Sequence, residues 1–172
     1  DHKDETVEFI ENPEDLAKEI FMPMETWGKF NGYTTDPNIN PHYIRPAMLQ
    51  QRLQKIMDEY VGGVGTWYMT SKYMLEEGFY YLGLLKEDSY HMCAENLHEL
   101  LRAWENFHRI LAGEAHARHI HFREETRYPG YYYRGDHLAI DDENWKCFVN
   151  STYDKESGEW DIFKREYHQL VP

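Results

Sequence analysis

The chain has 172 residues, enough for one domain with extensions, and carries 18 Lys and Arg against 31 Asp and Glu, a net charge of −13 with neutral histidines. Such a surface repels nucleic acid and anionic membranes, and an anionic metabolite too unless a local basic pocket overrides the mean field. Cys93 and Cys147 form neither a zinc pattern nor a disulfide framework, no apolar run approaches the roughly 20 residues of a membrane span, and the acidic opening is no signal peptide. The expected setting is therefore a reducing cytoplasm.

Residues 1–45 read as an acidic lead-in, a short helix and an extended linker. The helix begins in "NPEDLAKEIFMPMETWGKF", with Asn12 as N-cap and Pro13 in the first turn. Pro23 is expected to kink or end it. "NGYTTDPNINPHYIRP" is too rich in Pro, Asn and Asp for regular structure. With no initiator Met, the chain is expected to be a processed product or a fragment.

Residues 46–124 read as an antiparallel bundle of three to four helices in a mainly α fold. "PAMLQQRLQKIMDEYVGG" places Met48, Leu49, Leu53, Ile56, Met57 and Tyr60 on one stripe, and Gly62 and Gly63 stop it. A helix over about 70–90 turns Tyr73, Met74, Phe79, Leu82 and Leu85 inward. A longer one, about 94–122, offers Leu97, Leu100, Leu101, Trp104, Phe107, Leu111 and Ala115. Gly113 is its weak point, costing about 1 kcal/mol relative to Ala. Residues 125–172 read as an irregular C-terminal arm. It contains a short β-hairpin, "WKCFVNSTY" and "EWDIFKREYH" joined by "DKESG".

Several patterns invite a chemical reading. "YVGGVG" has glycines, but they follow a helix, where a dinucleotide loop needs a strand before and a helix after; a helix cap and tight turn is expected. The pairs Glu95/His98 and Glu105/His108 have the spacing of carboxylate-bridged di-iron bundles. Both lie on one helix, about 15 Å of rise apart, so they cannot share a cluster. His116, His119 and His121 form a cluster that could take up an adventitious divalent metal; a surface or interface cluster titrating near pH 6.5 is the expected reading. A free-standing metal-binding bundle using these ligands is the alternative function. Cys93 with His91 nearby is too little to mark a nucleophile.

The most unusual stretch is "ETRYPGYYYRGD", residues 125–136. Arg123, Arg127 and Arg134 cluster among Glu124, Glu125, Asp136, Asp141, Asp142 and Glu143. Arginine pairs bidentately with carboxylates and stacks on aromatic rings. The expectation is a network that fixes an irregular loop; an anion or cofactor contact is the competing reading. With aromatic content at 16% and 14 tyrosines, part of the aromatic surface is expected to face a partner. The candidate interface or network residues are Arg127, Tyr131, Tyr132, Tyr133, Arg134, Asp136 and Trp145.

These motifs carry a resemblance. "TTDPNINPHYIRP", "LQKIMDEYVGGV", "LHELLRAWENFHRI", "FREETRYPGYYYRGD" and "DDENWKCFVNS" together resemble the C-terminal helical domain of dissimilatory adenylylsulfate reductase alpha subunits, over about residues 13–172. The wider succinate dehydrogenase and fumarate reductase flavoproteins carry Glu-Ser-Arg-Gly-x-His-x-Arg-x-Asp and then Asp-Asp-x-x-Trp. Glu125, Thr126, Arg127, Arg134, Asp136, Asp141, Asp142 and Trp145 are similar to it, while residues 128–133, "YPGYYY", depart from it. The resemblance implies a piece of a larger cytoplasmic oxidoreductase that interconverts adenylylsulfate with AMP and sulfite. It implies FAD in the parent subunit, FAD and capping domains beside this one, and an iron–sulfur beta subunit carrying [4Fe–4S] clusters. Catalytic and flavin-binding residues are implied to lie in those other domains, and none is assigned to this chain.

Overall fold

The computed structural model describes residues 12–29 and 44–168. The acidic lead-in and nearly all of the Pro-rich connection lie outside the described residues. Four helices carry the fold: α1 (Pro13–Lys29), α2 (Pro46–Tyr60), α3 (Lys72–Ser89) and α4 (Leu97–Phe122). A two-residue strand β1 (Met69–Thr70) precedes α3, and β2 (Tyr133–Arg134) pairs with it in parallel. A four-residue helix α5 (Asp142–Trp145) leads into the hairpin of β3 (Cys147–Tyr153) and β4 (Trp160–Glu166).

The helix ends follow local chemistry. Asn12 Oδ1 accepts from the Glu14 N–H at 3.1 Å. Asn96 Oδ1 accepts from the His98 and Glu99 N–H groups, and Ser71 Oγ from that of Met74. Gly62, at φ +90°, turns the chain out of α2 in a conformation a side chain would strain.

Pro23 does not end its helix. The α1 helix runs through it, and the tertiary surroundings bond to carbonyls near it. Pro23 is buried, its carbonyl accepts the Ala94 N–H at 2.8 Å, and the Trp104 indole N–H donates to Ile20 O at 2.9 Å.

The core joins Leu49 and Leu53 of α2, Leu75, Leu82 and Leu85 of α3, and Ala103, Ile110, Ala117 and Ile120 of α4. The inward faces of α2 and α3 are close to the expected ones, except that Met48 and Tyr73 are exposed. On α4 the stripe is rotated. Leu97 and Leu101 are 67% and 56% exposed, while Ala103, Asn106 and Gly113 are buried. The reason is that α4 packs against α1, α2 and α3 together, and close approach selects small residues over large apolar ones. Gly113 is such an approach: a Cβ there would sit 3.1 Å from Met57 Sδ. The glycine that weakens an isolated helix thus fits α4 against α2. The buried Asn106 amide donates to Pro46 O at 2.7 Å, tying α4 to the first turn of α2.

The hairpin forms as expected, in full antiparallel register from Cys147↔Glu166 to Tyr153↔Trp160. Its turn is held by Asp154 Oδ1, which accepts the Glu156 and Ser157 N–H groups. Tyr153 and Trp160 close it with ring centroids 4.8 Å apart.

Gly113→Val should destabilise the chain by about 1–3 kcal/mol, because it overpacks the α2–α4 contact. Urea unfolding followed by circular dichroism measures this; an unchanged midpoint would show that Met57 yields freely.

Candidate functional site

At the C-terminus of α4 the last carbonyls have no intrahelical donor. Arg134 supplies one. Its side chain is fully buried, and Nη1 donates to Ile120 O at 2.5 Å, Arg123 O at 2.9 Å and His121 O at 3.2 Å. The opposite edge of the guanidinium, Nε and Nη2, forms a fork onto Asp136 Oδ1 and Oδ2, each at 2.9 Å. Asp136 Oδ2 also accepts the Lys72 N–H at 2.9 Å, so one carboxylate links the arm to the start of α3. The parallel strand pair adds Tyr133 N–H to Tyr68 O and Gly135 N–H to Thr70 O, both 2.7 Å.

Glu125 is the second hub, also fully buried. It accepts from Arg127 Nε at 2.7 Å and Nη2 at 2.9 Å, from the Asp141 N–H at 3.0 Å, and from Arg123 Nη1. Arg127 reaches on to Asp142 at 2.8 Å. Arg123 spends its other donors on Trp145 O and Cys147 O and lies over the Trp145 ring, 5.7 Å from its centroid. The aromatic partner of this guanidinium is thus a tryptophan. Thr126, buried between the hubs, accepts the Arg134 N–H and donates to His137 O.

Burial alone would push the Glu125 carboxyl up, but the hydrogen bonds from Arg127, the Asp141 N–H and Arg123 hold it below its ordinary value. The Asp136 carboxyl is held well below the usual carboxylate range by the Arg134 fork, against the pull of burial, with help from the Lys72 N–H. Both acids are ionised partners of arginines, not acids poised near neutrality.

The tyrosines divide. Tyr132 is half-buried against the core, Tyr133 is half-buried in the strand pair, and Tyr131 is 81% exposed. Beside the arm lies a cleft of about 520 Å³, lined by His119, Arg123, Arg127, Tyr132, Trp145 and Lys146 among others. Its two arginines are those engaged with Glu125, while Lys146 lies over the Tyr167 ring, 6.0 Å from its centroid.

The other sequence candidates go to separate partners. Glu95 and Glu99 both turn to Arg45, at 3.4 and 2.7 Å, and Glu105 to Arg102 and Arg109, while His98 and His108 are exposed. His119 Nε2 pairs with Ser151 Oγ at 2.9 Å, and burial together with the Arg123 charge pushes its imidazole below the ordinary value. His121 packs edge-on against Phe79 with Glu76 at 3.6 Å, and His116 lies exposed beside the end of α2. Among the described residues, no group of three or more His, Cys, Asp or Glu side chains converges to hold a metal ion. Gly63 and Gly65 close a turn on Asp58, whose Oδ1 accepts the Gly65 N–H at 2.9 Å. Cys93 is fully buried, which pushes its thiol up and makes it a poor nucleophile.

Sequence reasoning missed two features. Glu125 was one acid among six around the arginines; only its complete burial makes it a hub. Trp67 and Tyr68 adopt φ of 56° and 60°, a left-handed conformation bulky residues rarely take; no local signal marked them.

No protein-family profile matches the chain. It is 51% identical over all 172 residues to the adenylylsulfate reductase subunit alpha of Megalodesulfovibrio gigas, covering 26% of that protein. It superposes on the structure of adenylylsulfate reductase from Archaeoglobus fulgidus with a TM-score of 0.86 and 48% identity, covering 92% of this chain and 25% of that one. A structure of adenosine-5-phosphosulfate reductase as a covalent sulfite adduct matches with the same figures. The Sdh1 complex of Mycobacterium smegmatis matches at a TM-score of 0.63 and 21% identity, covering 92% of this chain and 24% of that one, a likeness of fold alone. The chain spans about a quarter of the length of the relatives it matches.

Arg134→Ala should cost about 3–5 kcal/mol, since it strands a carboxylate and three helix-end carbonyls. A loss under ~1 kcal/mol in urea unfolding would show the arm reorganises without it. The depressed Asp136 and Glu125 carboxyls also set an acid limit. Their contribution is complete above the unfolded carboxyl values, about 3.9–4.3, and is lost as the pH falls through the lower folded values. Tryptophan fluorescence should therefore report loosening of the arm around Trp145 below about pH 4. Asp136→Asn should flatten that pH dependence while lowering stability near neutrality.

Proposed function

We propose that this chain belongs to the adenylylsulfate reductase alpha-subunit family and serves as a structural and subunit-contact domain of such a flavoprotein. The parent enzyme would carry out the two-electron reduction of adenylylsulfate to AMP and sulfite, or its reverse, in the cytoplasm. The observation that carries this reading is the 51% identity along the whole chain to an alpha subunit of which it spans about a quarter.

The geometry supports a scaffold role. Adenylylsulfate and the flavin pyrophosphate are anions, and holding them calls for uncommitted basic donors or a glycine-rich helix start. Here Arg123, Arg127 and Arg134 are engaged by the chain's own carboxylates and carbonyls. Gly63 and Gly65 pack on Asp58 after α2, where a dinucleotide loop would open a helix. The described residues therefore do not fit FAD, and no step of the reaction is assigned to them. In this reading the FAD and substrate sites lie in the FAD and capping domains of the same subunit, and the iron–sulfur beta subunit supplies electrons through its [4Fe–4S] clusters. No helix of the described residues is long and apolar enough to cross a membrane.

The 172-residue chain, purified alone, should show no visible flavin absorbance even after incubation with FAD, whereas the complete subunit should be yellow. A stoichiometric flavin on the short chain would overturn the assignment of the flavin site to the other domains. In the complete enzyme, Arg127→Ala should lower thermal stability or assembly before it alters turnover; abolished turnover at normal stability and assembly would count against a scaffold role.

A further inference from the structure

One end of the bundle, where α2 stops, α3 starts and α4 ends, is apolar in a way the fold itself does not use. Trp67 and Tyr73 are 84% and 71% exposed, and Tyr68, Met69, Tyr128 and Tyr131 are exposed beside them in sequence or across the strand pair. The two segments that carry them are bonded backbone to backbone through β1 and β2. Residues 61–71 and 128–133 contain no Asp, Glu, Lys or Arg, in a chain that is 28% charged.

The outward display is built, not accidental. Trp67 and Tyr68 hold left-handed backbone conformations that cost on the order of 1–3 kcal/mol each. The strain is fixed by the Trp67 N–H on Val64 O at 3.1 Å, the Tyr68 N–H on Gly63 O at 2.9 Å and the Tyr133 N–H on Tyr68 O at 2.7 Å. Two bulky aromatics are thereby turned to solvent beside a core that does not take them in.

We propose that this aromatic end is the face on which the remainder of the same alpha subunit docks, covering Trp67, Tyr73 and Tyr131. The inference rests on the reading that this chain is a segment of a longer subunit. Aromatic side chains bury about 150–250 Å² each, so Trp67, Tyr73 and Tyr131 together expose on the order of 500 Å². That is comparable with the ~300–600 Å² of the largest patch on an ordinary monomer, a size that commonly marks a contact surface. The chain spans about a quarter of its relatives, so about three quarters of such a subunit is available to cover the face. A covalently joined neighbour has a millimolar effective concentration and stays in place, which suits a face whose exposed rings come largely from two segments without charged side chains.

Hydroxyl-radical footprinting of the 172-residue chain and of the complete alpha subunit without its partner tests this. Trp67, Tyr73 and Tyr131 should lose labelling severalfold in the complete subunit, while buried Trp145 stays low in both and reports that each is folded. Equal labelling in the two would overturn the proposal. So would a loss that appears only when the beta subunit is added, or one produced by concentrating the short chain against itself. Should the short chain prove unfolded, the complete subunit decides by itself: the double change Trp67→Asp and Tyr131→Asp should raise labelling at Tyr73 severalfold, and unchanged labelling there would overturn the proposal. Flavin content of the same subunit separates the two readings, since a folded subunit without flavin would sink the reductase assignment and leave the footprint to judge the face.

Discussion

The guanidinium of Arg134 is the contact on which the lower half of this structure depends. A 26-residue helix delivers its C-terminal carbonyls into a region with no further helical turn to satisfy them. Arg134 answers three of those carbonyls with one nitrogen and uses its other edge on Asp136, which in turn holds the first N–H of α3. A buried cation is tolerated only when paired and fully hydrogen-bonded, and both conditions are met by residues within the same chain. Lysine would not substitute, since a point charge cannot present two edges to two kinds of acceptor.

Glu125 repeats the logic with the opposite charge. A carboxylate at zero exposure would ordinarily be neutralised, yet arginines on two sides and a backbone N–H keep it ionised. Through these two hubs, an arm without much regular backbone pairing is fixed to α4, to β1 and to the hairpin. The functional consequence follows from the closure. The charges of Arg123, Arg127 and Arg134 are engaged within the chain, and among the residues the arm turns outward are Tyr128 and Tyr131. The cluster of Arg123, Glu125, Arg127, Arg134 and Asp136 then reads as a folding device, placed where the chain must leave a long helix and cross the end of a bundle.

Much of this was legible in one dimension. The cap at Asn12, the stop after α2, the periodicity of α2 and α3 and the C-terminal hairpin are local preferences that tertiary packing left in place. The pairing of Arg127 and Arg134 with carboxylates could be expected from their proximity in sequence. The face of α4 could not. Large apolar residues such as Leu97 and Leu101 mark an inward stripe when a helix has one neighbour; α4 has three, and Ala103 and Gly113 won the buried positions because backbones had to come close. Pro23 likewise stands inside α1 rather than at its end, where Ala94 and Trp104 bond to carbonyls near it.

By itself, then, the sequence determined the class of fold, the ends of most helices and the chemistry of the arm, because each of these is set by residues within a turn or two of one another. The tertiary structure alone decided which acid becomes the buried hub, which of the consecutive tyrosines points outward, and that Trp67 and Tyr68 stand in a left-handed turn. Those outcomes depend on Arg134 meeting α4, and on β2 meeting β1 across more than sixty residues of chain, contacts with no local signature.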